Sequence, residues 1–224
     1  MVTNLAYFYE TSRKVRGGKW VWVKDSNGEP RGNVLLGGTI LNPNKGFGHL
    51  WAAQLVQYTP AQGCLIFRSF AVKQATSAAT DTTIYLNGDG YSDAPEVGMM
   101  LMVAPNAANG TGQSAKVTAV EYDSVNERFK VTIDTALGSL TAGAILVEAS
   151  GNSASASASV LVPNPNTFIE ADRDLLPTEG YGLENANYSI STVYNKQAWI
   201  ARMQPLPDYV LAKNRSYIDG IFWI

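Results

Sequence analysis

Apolar and polar side chains alternate most cleanly at Arg128, Phe129, Lys130, Val131, Thr132, Ile133 and Asp134. A period of two places Phe129, Val131 and Ile133 on one face of an extended strand and the polar residues on the other, so the pattern predicts a strand with one buried and one wet face. The strand lies inside a longer stretch, residues 115–149, that reads as strand, turn, strand, short loop and strand. Three further runs of strand length precede it, at residues 65–72, 82–86 and 99–103, separated by the Asn, Gly, Asp and Pro clusters at 87–90 and 105–110. Those residue types mark turns because they accept positive φ, preset φ, or bond their own backbone. Short strands at this spacing predict a small β-barrel or sandwich over residues 63–150.

The flanks read differently. Lys19, Trp20, Val21, Trp22, Val23 and Lys24 predict a strand that turns at Asp25-Ser26-Asn27-Gly28. Residues 32–40 predict another, with Gly37 and Gly38 as a turn or bulge, and residues 47–57 fit a strand or a short helix. From Gly151 to Ser159 serine alternates with small residues, which cannot bury enough surface to fold alone, so a linker or extended strap is expected. Beyond it, residues 190–194 and 199–203 are expected to pair across Asn195-Lys196, and the apolar run 216–224 to be docked on its own core or on a partner. Each flank is too short to hold a core by itself, so the two are expected to pack together. The fold class is therefore read as mainly β: a base made of 1–62 plus 160–224, a barrel or sandwich at 63–150 inserted in it, and a Ser/Ala linker at 151–159.

Composition narrows the function. Charged residues make up 16% of the 224, against a usual quarter or so, and the formal net charge is −2. Surface polarity must come largely from uncharged residues, and no global field draws the chain to nucleic acid or to an anionic membrane, so neither is expected as a partner. No basic-then-apolar leader and no run of about 20 apolar residues is present, which fits a product made in the cytoplasm. The chain has one histidine and one cysteine, so an internal disulfide, a His-based metal centre and most catalytic triads lack their parts. His49 reads as a structural or surface residue and Cys64 as a small buried hydrophobe. The run from Asn87 to Asp93 looks superficially like a calcium loop, but its sixth position is Ser92 and its twelfth Gly98, where Gly and Glu belong, so it reads as a turn. Glu170, Asp172 and Asp174 have the chemistry of glycosidase carboxylates, with a solvated loop as the plainer reading. The cations Arg13, Lys14, Arg16 and Lys19 suit a solvated loop, with contact to phosphate or to an acidic protein surface as the alternative. No catalytic residue, metal or cofactor is expected.

Several segments carry a family resemblance. The opening Asn4-Leu5-Ala6-Tyr7-Phe8-Tyr9-Glu10 with Gly18 to Val23, the stretch 116–148 including Leu137-Gly138-Ser139-Leu140-Thr141-Ala142-Gly143, and residues 214–223 together resemble accessory proteins of tailed-bacteriophage heads. The similarity is to the head-fibre-like, auxiliary capsid (decoration) proteins of crAss-like Bacteroides phages. It implies a non-enzymatic virion protein on the capsid exterior, made in the host cytoplasm, that binds the major capsid protein and itself as a homotrimer. Trp20, Trp22, Tyr217, Phe222 and Trp223 are the expected interface residues. The alternatives are a head–tail connector or tail component, and a carbohydrate-binding module that uses Trp20 and Trp22 as a platform.

Overall fold

The computed structural model describes residues 34–39, 49–59, 63–89, 93–169, 173–174, 189–194, 197–198, 203–213 and 222–223. They are mainly β, with a short helix at Asp208–Lys213. The chain divides into two compact units, one of residues 1–66, 166–203 and 214–224, the other of 67–165 and 204–213. The boundaries thus fall later than the pattern suggested, and the second unit takes in the presumed linker and a segment expected in the base.

The second unit is built on six strands, β1 (Ser69–Gln74), β2 (Thr83–Asn87), β3 (Met100–Val103), β4 (Ser114–Asp123), β5 (Arg128–Ile133) and β6 (Ile145–Glu148). Their antiparallel pairings run β5-β2-β1-β6-β3-β4 and return from β4 to β5, which closes the sheet into a barrel with no open edge. Phe70, Val72, Ile84, Leu86, Leu101, Val117, Val131, Ile133 and Leu146 fill the interior, with Met99, Leu137 and Leu140. The alternation at 128–134 holds: Val131 faces Ile84 on one side and Val120 on the other, while Lys130 is exposed.

Two sequence expectations about these strands fail. The run 65–72 is not one strand, because Gly63–Ile66 belongs to the first unit and β1 begins only at Ser69. Between them Phe67 and Arg68 are buried, and the charged head of Arg68 requires partners that a regular strand would not supply. In the stretch 115–149, β4 and β5 form the expected hairpin, but β6 leaves them to pair with β1 and β3.

Residues 151–159 are not a linker. Ala149 bridges Val160, Ser150 N–H donates to Ser159 O (2.8 Å), and Ala158–Ser159 pairs with Thr111–Gly112, so the segment is a folded hairpin. Ser114, fully buried on β4, ties it down: its hydroxyl donates to Gly151 O (2.7 Å) and accepts from Ser153 N–H (2.8 Å), and its own N–H donates to Ser153 O (2.8 Å). Small residues cannot make a core, but they let two backbones approach closely enough for such bonds.

In the first unit a five-stranded antiparallel sheet runs in the order Val34–Thr39, Ser189–Tyr194, Thr167–Ile169, Leu55–Thr59, Gly63–Ile66. Gly37 and Gly38 are ordinary strand positions opposite Ser191 and Ile190, not a turn or bulge. Residues 189–194 pair with Val34–Thr39 on one side and, at Thr192 and Val193, with Ile169 and Phe168 on the other; the pairing expected across Asn195-Lys196 lies outside the described residues. The ambiguous stretch 47–57 resolves into His49–Leu50, a turn through Ala53 at φ 63°, and Leu55–Thr59. The hairpin expected at residues 19–28 lies outside the described residues.

Candidate functional sites

One polar cluster lies where the chain enters the barrel unit. Arg68 is two residues before the inward-facing Phe70, and Glu148 is two residues after the inward-facing Leu146, so both side chains sit on the interior side of the sheet at one end of the barrel. Arg68 Nε lies 3.2 Å from Glu148 Oε2 and Nη1 lies 3.6 Å from Glu96 Oε2, and the arginine is only 3% exposed. Burial pushes the Glu96 carboxyl above its usual range, Arg68 pulls against that, and the buried Asp93 adds to the rise. Asp93 closes the run that looks like a calcium loop. Residues 90–92 of that run lie outside the described residues, and among the described ones no group of three or more His, Cys, Asp or Glu side chains is placed to hold an ion. Buried carboxylates need a fixed cation, and Arg68 supplies it from within the chain. Near it, Gln204 Nε2 donates to Phe67 O (2.8 Å) and Ser69 Oγ bonds Pro205 O, joining the entering strand to the returning segment 204–213.

The second site is the tip of the β4–β5 hairpin. Asp123 Oδ1 accepts from Asn126 N–H (3.2 Å), and Oδ2 accepts from Asn126 Nδ2 (2.7 Å) and Arg128 Nε (3.0 Å). Hydrogen bonds from Asn126 and Arg128 hold the Asp123 carboxyl below its usual range. Glu127 takes the left-handed conformation at φ 48°, a position that favours glycine, and its carbonyl accepts from Gly88 N–H (2.9 Å). The turn is thus locked although its residues are exposed.

Aromatic rings flank this turn on both sides of the sheet. On the inner side Tyr122 stands opposite Phe129, ring centroids 5.0 Å apart and tilted at 47°, and its hydroxyl donates to Gly88 O (3.3 Å). A Cβ on Gly88 would sit 2.7 Å from Tyr122 Cε2, so only glycine lets the ring lie there. On the outer side the Arg128 guanidinium lies 4.1 Å over the Tyr85 ring, with Nη1 donating to Gln74 Oε1 (2.7 Å). Tyr122 remains 47% exposed and Val125, at the apex, 89%.

Of the residues singled out in the sequence as interface, glycosidase, histidine or cysteine candidates, the structure describes Phe222, Trp223, Asp174, His49 and Cys64. Trp20, Trp22 and Tyr217 lie outside the described residues, as do the basic cluster 13–19, Glu170 and Asp172. Phe222–Trp223 pairs in parallel with Gln197–Ala198, so that part of the apolar run is joined to its own chain. Arg173–Asp174 is not a loop but a short strand against His49–Leu50, with Asp174 opposite His49. Cys64 lies in Gly63–Ile66 opposite Tyr58. The sequence predicts the β4–β5 turn but not the pairing of Tyr122 with Phe129 or the approach of Gly88, which follow from the register. No family model and no curated protein matches the chain.

Proposed function

We propose that the protein is a structural component of a tailed-phage head that decorates or reinforces the capsid exterior through protein–protein contacts. The observation that supports this best is the division of the chain: segments on both sides of the barrel gather in one compact unit, and residues 67–165 are inserted as a closed barrel of their own. An inserted, edge-free barrel suits presentation on a surface, because its sheet offers no strand for unwanted pairing. The major capsid protein and a second and third copy of the chain are the partners in this reading, with Trp20, Trp22, Tyr217, Phe222 and Trp223 as contacts. Electron microscopy of heads assembled with and without this chain tests it. External density that disappears when residues 216–224 are deleted, while the truncated chain keeps a folded barrel by circular dichroism, is the expected result. Density at the tail or portal vertex would favour the connector reading instead, and light scattering that reports a monomer would remove the trimer.

A further inference from the structure

Residues 204–213 belong to the barrel unit, although the chain on either side of them, up to Met203 and from Asn214, belongs to the other. The segment is a strap on the barrel. At its start Gln204 is buried and its Nε2 donates to Phe67 O (2.8 Å), and Ser69 Oγ donates to Pro205 O. Leu206, Tyr209 and Val210 are buried further along. None of these side chains belongs to the barrel interior, which the six strands fill together with Met99, Leu137 and Leu140. The strap can therefore leave without emptying the core.

Its docking is held in a fine balance. The helix Asp208–Lys213 has six residues, too few to persist in water on its own hydrogen bonds, so its order depends on packing. Tyr209 Oη is buried with no hydrogen-bond partner among the described residues, and burial pushes the phenol above the usual tyrosine range. A buried hydroxyl without a partner opposes docking, because water satisfies it once the strap is free. Pro205 and Pro207 favour return: their fixed φ keeps a free strap close to its docked shape, so less backbone freedom is lost on docking.

We infer that residues 204–213 form a releasable strap, which undocks as one unit while the barrel stays closed and bares the outer wall at Ser69. Ser69 stands opposite Val147 on that wall, and both are fully buried. Docked, the strap keeps this strip from other surfaces; released, it presents the strip. The inference is independent of the capsid reading, because none of the proposed capsid contacts lies within 204–213.

Native-state hydrogen exchange of the full chain, read on peptides from 204–213, β2 and β5 over a series of urea concentrations, provides the test. The Val210 and Leu211 amides, both bonded to Pro207 O (3.0 and 3.1 Å), should exchange together and about tenfold or more faster than those of β2 and β5. Their exchange should depend only weakly on urea, because a local opening exposes little surface, whereas the barrel amides follow the full unfolding slope. Tyr209→Phe removes the unpartnered hydroxyl and should slow exchange of the strap about fivefold or more. Ile84→Val, a conservative change in the barrel interior, should speed exchange in β2 and β5 about threefold and leave the strap at its original rate. Strap amides that exchange at the barrel's rate with the barrel's urea slope overturn the inference. So does a strap that Ile84→Val speeds as much as the barrel, or one whose exchange Tyr209→Phe does not slow.

Discussion

Strands β2 and β5 on one side of the ring, and β3 and β6 on the other, are hydrogen-bonded in the same antiparallel manner, yet they bury different fractions of themselves. Along β2 buried and half-buried residues alternate, with Ile84 and Leu86 inside and Thr83, Tyr85 and Asn87 outside. At the middle of β3 and β6 both faces are buried: Leu101 and Leu146 point inward, and Met102 and Val147, opposite each other on the outer face, are equally inaccessible. The outer face there also carries Ser69 and Ser114, whose hydroxyls bond to Pro205 and Gly151. One wall is therefore covered by the chain's own segments 149–165 and 204–213, and the other is left to solvent. A closed barrel needs only its interior filled, so the added layer is a second, smaller apolar contact that ties down the segments leaving and re-entering the unit. The bare wall runs out into the β4–β5 tip, the part of the unit best placed to meet something else.

Removing the ion cluster at the covered end should have the largest effect. Arg68→Ala leaves Glu148 and Glu96 without their cation, and loss of one partner from a buried pair costs roughly 3–5 kcal/mol, to be read from chemical denaturation. The contrast between the walls is next: Met102→Ala, outward on the covered wall, should cost about 2–5 kcal/mol, whereas Lys130→Ala, outward on the bare wall, should cost no more than about 0.5. Similar values for the two would break the comparison. Ser114→Ala removes a hydroxyl that both donates to and accepts from the serine hairpin, and about 1–3 kcal/mol of destabilisation is expected, with faster amide exchange at Ser153. A linker would show neither.

The smallest effect is the pH dependence of Glu96. Its folded pKa is raised above the usual 4.5, chiefly by burial, so its favourable contribution is complete below that value and is lost as pH rises through the folded pKa. Thermal melts should show the barrel unit gaining stability on mild acidification, and Glu96→Gln should flatten that part of the profile. Asp123 and Asp134 act in the opposite sense at lower pH. Hydrogen bonds from Asn126 and Arg128 lower Asp123; for Asp134 burial works upward but is outweighed by the Lys116 N–H and the Asn152 amide. Their contribution is present above the usual 3.8 and is lost as pH falls through the depressed values, which gives the melting profile its acid limb.

Much of the barrel was legible in the sequence. The runs 82–86, 99–103 and 128–134 became strands within a residue or two, because a half-buried strand must write its two faces as alternation and a turn must use residues that tolerate it. The serine segment was not legible, since its order comes from backbone bonds to Ser114 and Thr111–Gly112, and composition carries no trace of those. Gly37 and Gly38 misled for a related reason: a glycine pair marks a turn locally, but cross-strand partners at Ser191 and Ile190 hold it extended. Neither candidate site could be read from spacing, because Arg68 with Glu148 and Glu96, and Tyr122 with Gly88, meet only across strands far apart in the chain.

By itself the sequence determined the β class, the positions of most barrel strands and the want of parts for histidine or cysteine chemistry, all of which follow from residue type and local period. Tertiary structure decided which strands became neighbours, that the ring closed, that one wall acquired a second layer, and that Arg68 met Glu148 and Glu96. Those outcomes depend on where distant backbones and charges come to rest against one another, and desolvation makes such meetings decisive without leaving any local pattern to read.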